Sequence, residues 1–284
     1  QIKLIQKICC PNMHSSPKRL PPKIHLVLSG LAAFIIFSIW SFIGSGFSFE
    51  KLFSSPEYLM DFLRRAFPPF EEHRITWDAF LRYLDALLET VQMAFAGTIL
   101  GIIFGFALSL MASKNLLFSS SLTKPLQVFA KALIAFFRTV PDLVWAIVFV
   151  VVVGLGAFAG TLAIMVDTIG FCGRFFAEEM EEVDKSPAEA LECCGATKVD
   201  AVFASVIPAA MPGLIATSLF AFEKAVRSSV ILGIVGAGGI GLQLQSLFNF
   251  FSYDRAMVII GMIFVLVIGI ERLSNYARSK IMNN

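Results

Sequence analysis

Charge is what this sequence has least of. Asp, Glu, Lys and Arg make up 15% of its 284 residues, against 57% apolar, whereas soluble domains are usually about a quarter charged. A water-soluble domain of this size would lack the polar side chains to cover its surface. A bilayer removes that need, so several membrane spans follow. Tyr is also scarce, 4 against 29 Phe, which favours rings that need no hydrogen-bond partner. A net charge of +2 is too small to attract nucleic acid. The 5 cysteines and 3 histidines form no C-x-x-C pair and no metal-ligand spacing. No metal or catalytic centre is therefore expected, and the cysteines read as reduced thiols, with Cys9-Cys10 a candidate palmitoylation pair. There is no G-x-x-x-x-G-K-[ST] phosphate loop, so neither an ATP site nor a resident cofactor is expected.

What is present are apolar runs of spanning length. The expected spans are 24–44, 84–111, 126–153, 161–176, 211–233 and 256–270 with a few flanking residues. This makes the fold all-α and integral to the membrane, with about six transmembrane helices. The first run lacks a small-residue cleavage pattern and is read as a retained span. Lys and Arg concentrate in the arm 1–23, around Lys114 and Lys124, around Lys185 and Lys198, and in the tail. The positive-inside rule then puts both termini in the cytoplasm. Residues 45–82 fall outside, as amphipathic surface helices broken at Pro68-Pro69.

Gly236-Ala-Gly238-Gly239-Ile-Gly241 fits G-x-G-x-x-G, the spacing of a dinucleotide-binding turn. Only 43 residues follow Gly241, too few for the βαβ units such a domain needs, and the run lies on the expected outer side. Two readings remain: a helix break that forms part of a gate, or a simple flexible loop.

The loop between the fourth and fifth spans is the most informative stretch. Ser186-Pro187-Ala188-Glu189 has the form of a capping box with Pro at the first helical position. Ala190, Cys193 and Cys194 give the helix a small-residue face, and Gly195 stops it. Thr197-Lys198-Val199-Asp200 forms a second cap and starts a second short helix toward Val206. Pro208 and Pro212 mark entry to the fifth span. The prediction is a helix, a glycine turn and a second helix, facing the cytoplasm.

This stretch resembles the EAA loop of ATP-binding-cassette importer permeases, E-A-A-x3-G-x9-I-x-L-P. Glu189, Ala190, Gly195 and Pro208 match it in identity and spacing, while Leu191, Ser205 and Ile207 depart from it. The stretches 87–98, 137–160, 167–184 and 226–241 are similar to the permeases of phosphonate transporters. The resemblance implies a type I importer permease architecture, with a core over 83–277 and a coupling loop over 178–207. It also implies partners: a second copy of the chain, two cytoplasmic ATP-binding subunits, and an extracytoplasmic binding protein for phosphonate, phosphite or phosphate. The chain itself would be a transport subunit in the inner (plasma) membrane and not an enzyme. Glu189, Ala190, Gly195, Ile207 and Pro208 would couple it to the ATPase. Two alternatives are a permease for another solute, such as methionine or a quaternary amine, and an ion-coupled secondary transporter using Asp167 or Glu223.

Charges inside spans are costly and usually face a cavity or a partner. Arg138, Asp167, Glu223 and Arg227 are therefore candidates for the translocation path, with Gly236, Gly238, Gly239 and Gly241 as gate candidates. Glu223 and Arg227 are spaced to pair on one helix face, and Arg138 and Arg227 could attract an anion. Pro141 is expected to kink the third span. No converging set of Arg and Ser, as a phosphate cage would need, is visible.

Overall fold

The computed structural model describes residues 22–46, 56–66, 76–114 and 124–282. The N-terminal arm as far as residue 21, the Cys9-Cys10 pair and the Pro68-Pro69 break lie outside the described residues. Two compact units form, Gln1–Met60 and Asp61–Asn284. In the first, helix α1 (Pro22–Gly44) exposes apolar side chains all round, Phe34, Ile36 and Trp40 among them. At 1.5 Å per residue its 23 residues reach about 34 Å, enough to cross a bilayer. The amphipathic helix α2 (Pro56–Ala66) follows.

The second unit is a helical bundle. Its elements are α3 (Trp77–Ala112), α4 (Lys124–Thr139), α5 (Asp142–Val153), α6 (Ala157–Glu182), α7 (Ser186–Cys193), α8 (Lys198–Ala201), α9 (Ile207–Ile234), α10 (Gly239–Asn249) and α11 (Tyr253–Met282). Among the described residues, five helical segments, α1 included, are long and apolar enough to cross a membrane, and the bent pair α4–α5 makes a sixth if it is counted as one span. The second span is longer than the sequence suggests: α3 has 36 residues and begins at Trp77.

The third expected span, 126–153, is not one helix. It turns by 89° between α4 and α5. Pro141 has no N–H to continue the ladder and disfavours helical backbone at Val140. Asp142 then restarts the chain by accepting the Leu143 amide at 2.8 Å.

The central contact is α3 against α6, which run parallel. Gly97, Gly101 and Gly105 form one stripe on α3. A Cβ there would come within 2.8 Å of Ile164, collide with Thr168, and press on Cys172 at 3.2 Å, respectively. The absent side chains let the two backbones approach closely, and association in lipid depends on such packing because hydrophobic exclusion of water is unavailable there. Lys114 at the end of α3 donates its amide to Glu181 Oε1 at 2.6 Å, so these two C-termini share one end of the bundle. That end also receives Gln127 of α4, whose side-chain amide bonds the Ala112 and Ser113 carbonyls.

The fifth span also differs from expectation. Helix runs on from α8 through a π turn (Val202–Val206) into α9, with no separate second helix. Pro208 cannot donate to the Ala204 carbonyl. The preceding turn widens instead, and Ile207 N–H bonds the Val202 carbonyl.

Candidate functional site

The predicted coupling residues lie at the same end of the bundle as the C-termini of α3 and α6. Helix α7 is seated by Ala188, which is buried in a cluster with Phe176, Met180, Val202, Val206 and Ile207, while Leu191 packs against the same cluster. Glu189, Ala190, Cys193 and Cys194 point the other way and are exposed. Gly195 ends α7 with φ +94, and Ala196 N–H returns to the Leu191 carbonyl at 3.1 Å, as in a glycine-terminated helix. Thr197 and Asp200 form a reciprocal capping box. Ile207 is buried beneath α7 and belongs to its seat, whereas Pro208 is exposed.

The expected cap at Ser186 does not form. Asp184 takes both the amide and the hydroxyl of Ser186, at 3.0 and 2.8 Å. A carboxylate is the stronger acceptor, so it wins the contest for these donors. Helix α7 then starts at Ser186, with Lys185 in the cap position. These donors hold the Asp184 carboxyl below its ordinary value, the Ser186 amide contributing most.

The glycine run closes the other end, and it is buried throughout from Gly236 to Gly241. Gly236, Gly238 and Gly239 adopt φ of +94, +85 and +68. A Cβ at Gly238 would come within 2.7 Å of Ala157 N, and one at Gly241 would strike the Val230 carbonyl. The Gly236 carbonyl accepts Gly156 N–H at 3.0 Å, joining this turn to the one before α6. Thr90 of α3 caps α10 from outside: its hydroxyl donates to Ala86 O at 2.9 Å and accepts Ile240 N–H at 2.8 Å. The turn is not a loose loop: it is buried and packed by the backbone of Gly156, Ala157, Val230 and Gly233 and by the side chains of Leu155, Thr90 and Met93.

The charged residues are brought together in part. Glu223 is buried and pairs with Arg227 one turn on, as expected. It also meets Arg278 of α11 at 3.5 Å, which sequence spacing does not reveal. Asp167 pairs across helices with Lys224, at 2.8 and 3.0 Å. Arg138 joins neither pair. Its guanidinium lies 5.8 Å from the Phe175 ring centre, and Lys224 sits over the neighbouring Phe171 at 5.2 Å. Phe171 and Phe175 are 4.6 Å apart.

Residues 97–276 match the family model described as binding-protein-dependent transport system inner membrane component. The chain belongs to that family. As a member it is a multi-pass membrane protein and a transport subunit, not an enzyme. It is 39% identical over 197 residues to the phosphate-import permease protein PhnE of Mycolicibacterium smegmatis, covering 69% of this chain and 36% of that one. It is 38% identical to the putative phosphite transport system permease protein HtxC of Stutzerimonas stutzeri, covering 67% and 64%. The match thus spans less than two thirds of either relative. The fold is similar to that of a chain of the MetNI methionine ABC transporter in an inward-facing conformation. The TM-score is 0.63 at 22% identity, over 73% of this chain and 99% of that one.

Two further features of this family member escaped sequence reasoning. The Gly97–Gly101–Gly105 stripe carries a plain signal, G-x-x-x-G repeated inside an apolar helix. Thr90 carries none, since its partner lies 150 residues away.

Proposed function

We propose that the chain is the membrane-spanning permease subunit of an ATP-driven importer for a phosphorus oxyanion: phosphonate, phosphite or phosphate. The observation that carries the transport mechanism is helix α7, seated on an apolar cluster by Ala188 while Glu189, Ala190 and Cys193 stay exposed. A short helix fixed on one side and free on the other is suited to fit a groove on a cytoplasmic ATP-binding subunit. The substrate class rests on the phosphate and phosphite permeases to which the chain is similar over two thirds of its length.

In this reading two copies of the chain face one another, two ATP-binding subunits dock at α7, and an extracytoplasmic binding protein delivers substrate at the opposite end. Both termini are cytoplasmic. Closure of the ATP-binding subunits moves α7, and the unbroken helix from Lys198 to Ile234 carries that motion through the bilayer. Gly236, Gly238, Gly239 and Gly241 hold the outer end of the path, and Arg138, Asp167, Glu223 and Arg227 lie along it. The Asp167–Lys224 pair occupies the carboxylate that a proton-coupled carrier would use, which weighs against that alternative.

The test is reconstitution in proteoliposomes with the cognate ATP-binding subunit and binding protein. Labelled phosphate, phosphite and methylphosphonate are offered in turn, with methionine as control. Uptake of one phosphorus compound that requires ATP and survives a proton uncoupler is expected. Uptake that persists without ATP and collapses with the proton gradient overturns the proposal.

A further inference from the structure

A cavity of about 280 Å³ opens between the end of α3, the face of α4 and the C-terminal half of α6. Its polar wall carries four cations, Lys114, Lys131, Arg138 and Arg174, and two carboxylates, Glu178 and Glu181. Both carboxylates are already engaged. Glu178 holds Arg174 through Nε at 2.8 Å, which leaves the two terminal guanidinium nitrogens of Arg174 free for another acceptor. Glu181 accepts the Lys114 backbone amide. Among the described residues, no carboxylate lies within 4 Å of the charged groups of Lys114, Lys131 or Arg138. The cations come from three helices, and Lys131 and Arg138 lie two turns apart on α4. Lys131 is half-buried, whereas Lys114, Arg138 and Arg174 are exposed at the rim. Four cations against two engaged carboxylates leave an excess of positive charge, and a concave surface with such an excess concentrates the opposite ion.

We propose that this cavity binds a phosphate group, supplied either by the headgroup of an anionic lipid or by free inorganic phosphate at the inner face. The guanidiniums of Arg138 and Arg174 would supply planar paired donors to the phosphate oxygens, and Lys114 and Lys131 compact charges at its rim. The site stands apart from the α7 seat and from the glycine turn. It depends on the proposed transport reading only for the side of the membrane it faces.

The test uses the full chain in nanodiscs, without transport. One arm titrates inorganic phosphate into phosphatidylcholine discs and follows phosphorus NMR line broadening. The other counts phosphatidylglycerol molecules retained by native mass spectrometry from mixed discs. The variants are K131Q and K114Q/K131Q, whose lysine side chains make no ion pair among the described residues, so the fold is kept, with K131R as the conservative control. Loss of a charged contact is expected to weaken the bound probe about tenfold, with K131R close to wild type. Loss confined to the phosphate arm assigns a soluble anion, and loss confined to the lipid arm assigns a headgroup. The proposal is overturned if wild type binds neither probe, or if both variants bind as wild type does. Since no arm requires uptake, a failed transport assay leaves this result intact.

Discussion

At the Gly236–Gly239 turn the backbone is buried, and a Cβ at Gly238 would press on Ala157 N within 2.7 Å. At Gly195, with a φ equally positive, a Cβ would meet nothing within 4 Å. Both turns need glycine for its left-handed backbone, but only the first also needs it for space. The first is a packed joint between α3, α6 and α9; the second is a free corner held at one face. Substitutions at the two ends should therefore separate stability from coupling.

The largest effect is expected from Gly241→Val. The new side chain collides with the Val230 carbonyl, and backbone cannot yield as a flexible side chain can. Overpacking of this kind costs about 1–3 kcal/mol or more, so loss of folded protein in detergent is expected, read as the monodisperse fraction on size exclusion. Next comes Thr90→Val, which keeps the shape but leaves the buried Ile240 N–H without an acceptor. A loss of about 1–3 kcal/mol is expected, read by thermal unfolding, with Thr90→Ser close to wild type. If Thr90→Val is neutral, the Thr90 hydroxyl does not hold the glycine joint.

At the α7 end the stability losses are smaller. Thr197→Ala removes one half of a capping box and should cost about 1 kcal/mol. Gly195→Ala strains a positive φ without a clash and should cost about as much, while ATP hydrolysis in the assembled complex no longer drives uptake. Full coupling in Gly195→Ala would place force transfer elsewhere. The smallest effect is acid sensitivity at the start of α7. The Asp184 carboxyl sits below its ordinary 3.8 because its ionised form is held by Ser186. Its contribution is complete above 3.8 and disappears as pH falls through the lower folded value. Hydrogen exchange at the first turn of α7 should rise in that acid range, and Asp184→Asn should abolish the dependence.

The sequence was most legible where structure is local. The apolar runs, the Gly195 stop, the Thr197–Asp200 box and the Glu223–Arg227 pair all depend on neighbours within one or two helical turns. Ser186 misled because two local acceptor arrangements competed, and the carboxylate two residues earlier prevailed. What stayed hidden is tertiary. Asp167 finds Lys224 57 positions away and Arg278 reaches Glu223 over 55. The basic cavity gathers its cations from three helices, none of which carries a cluster of its own.

The right-angled break at Val140-Pro141 has a consequence for the environment of the chain. A Cβ on Gly170, near the midpoint of α6, would fall 2.8 Å from Arg138 N, so α4 stops about halfway along its neighbour. Its last carbonyls lose their donors there, while Arg138 and Thr139 remain exposed in the single chain. Hydrocarbon does not tolerate bare peptide groups. Whatever lies against residues 138–141 in the working assembly must be protein, water or a polar headgroup, since acyl tails offer these carbonyls no donor.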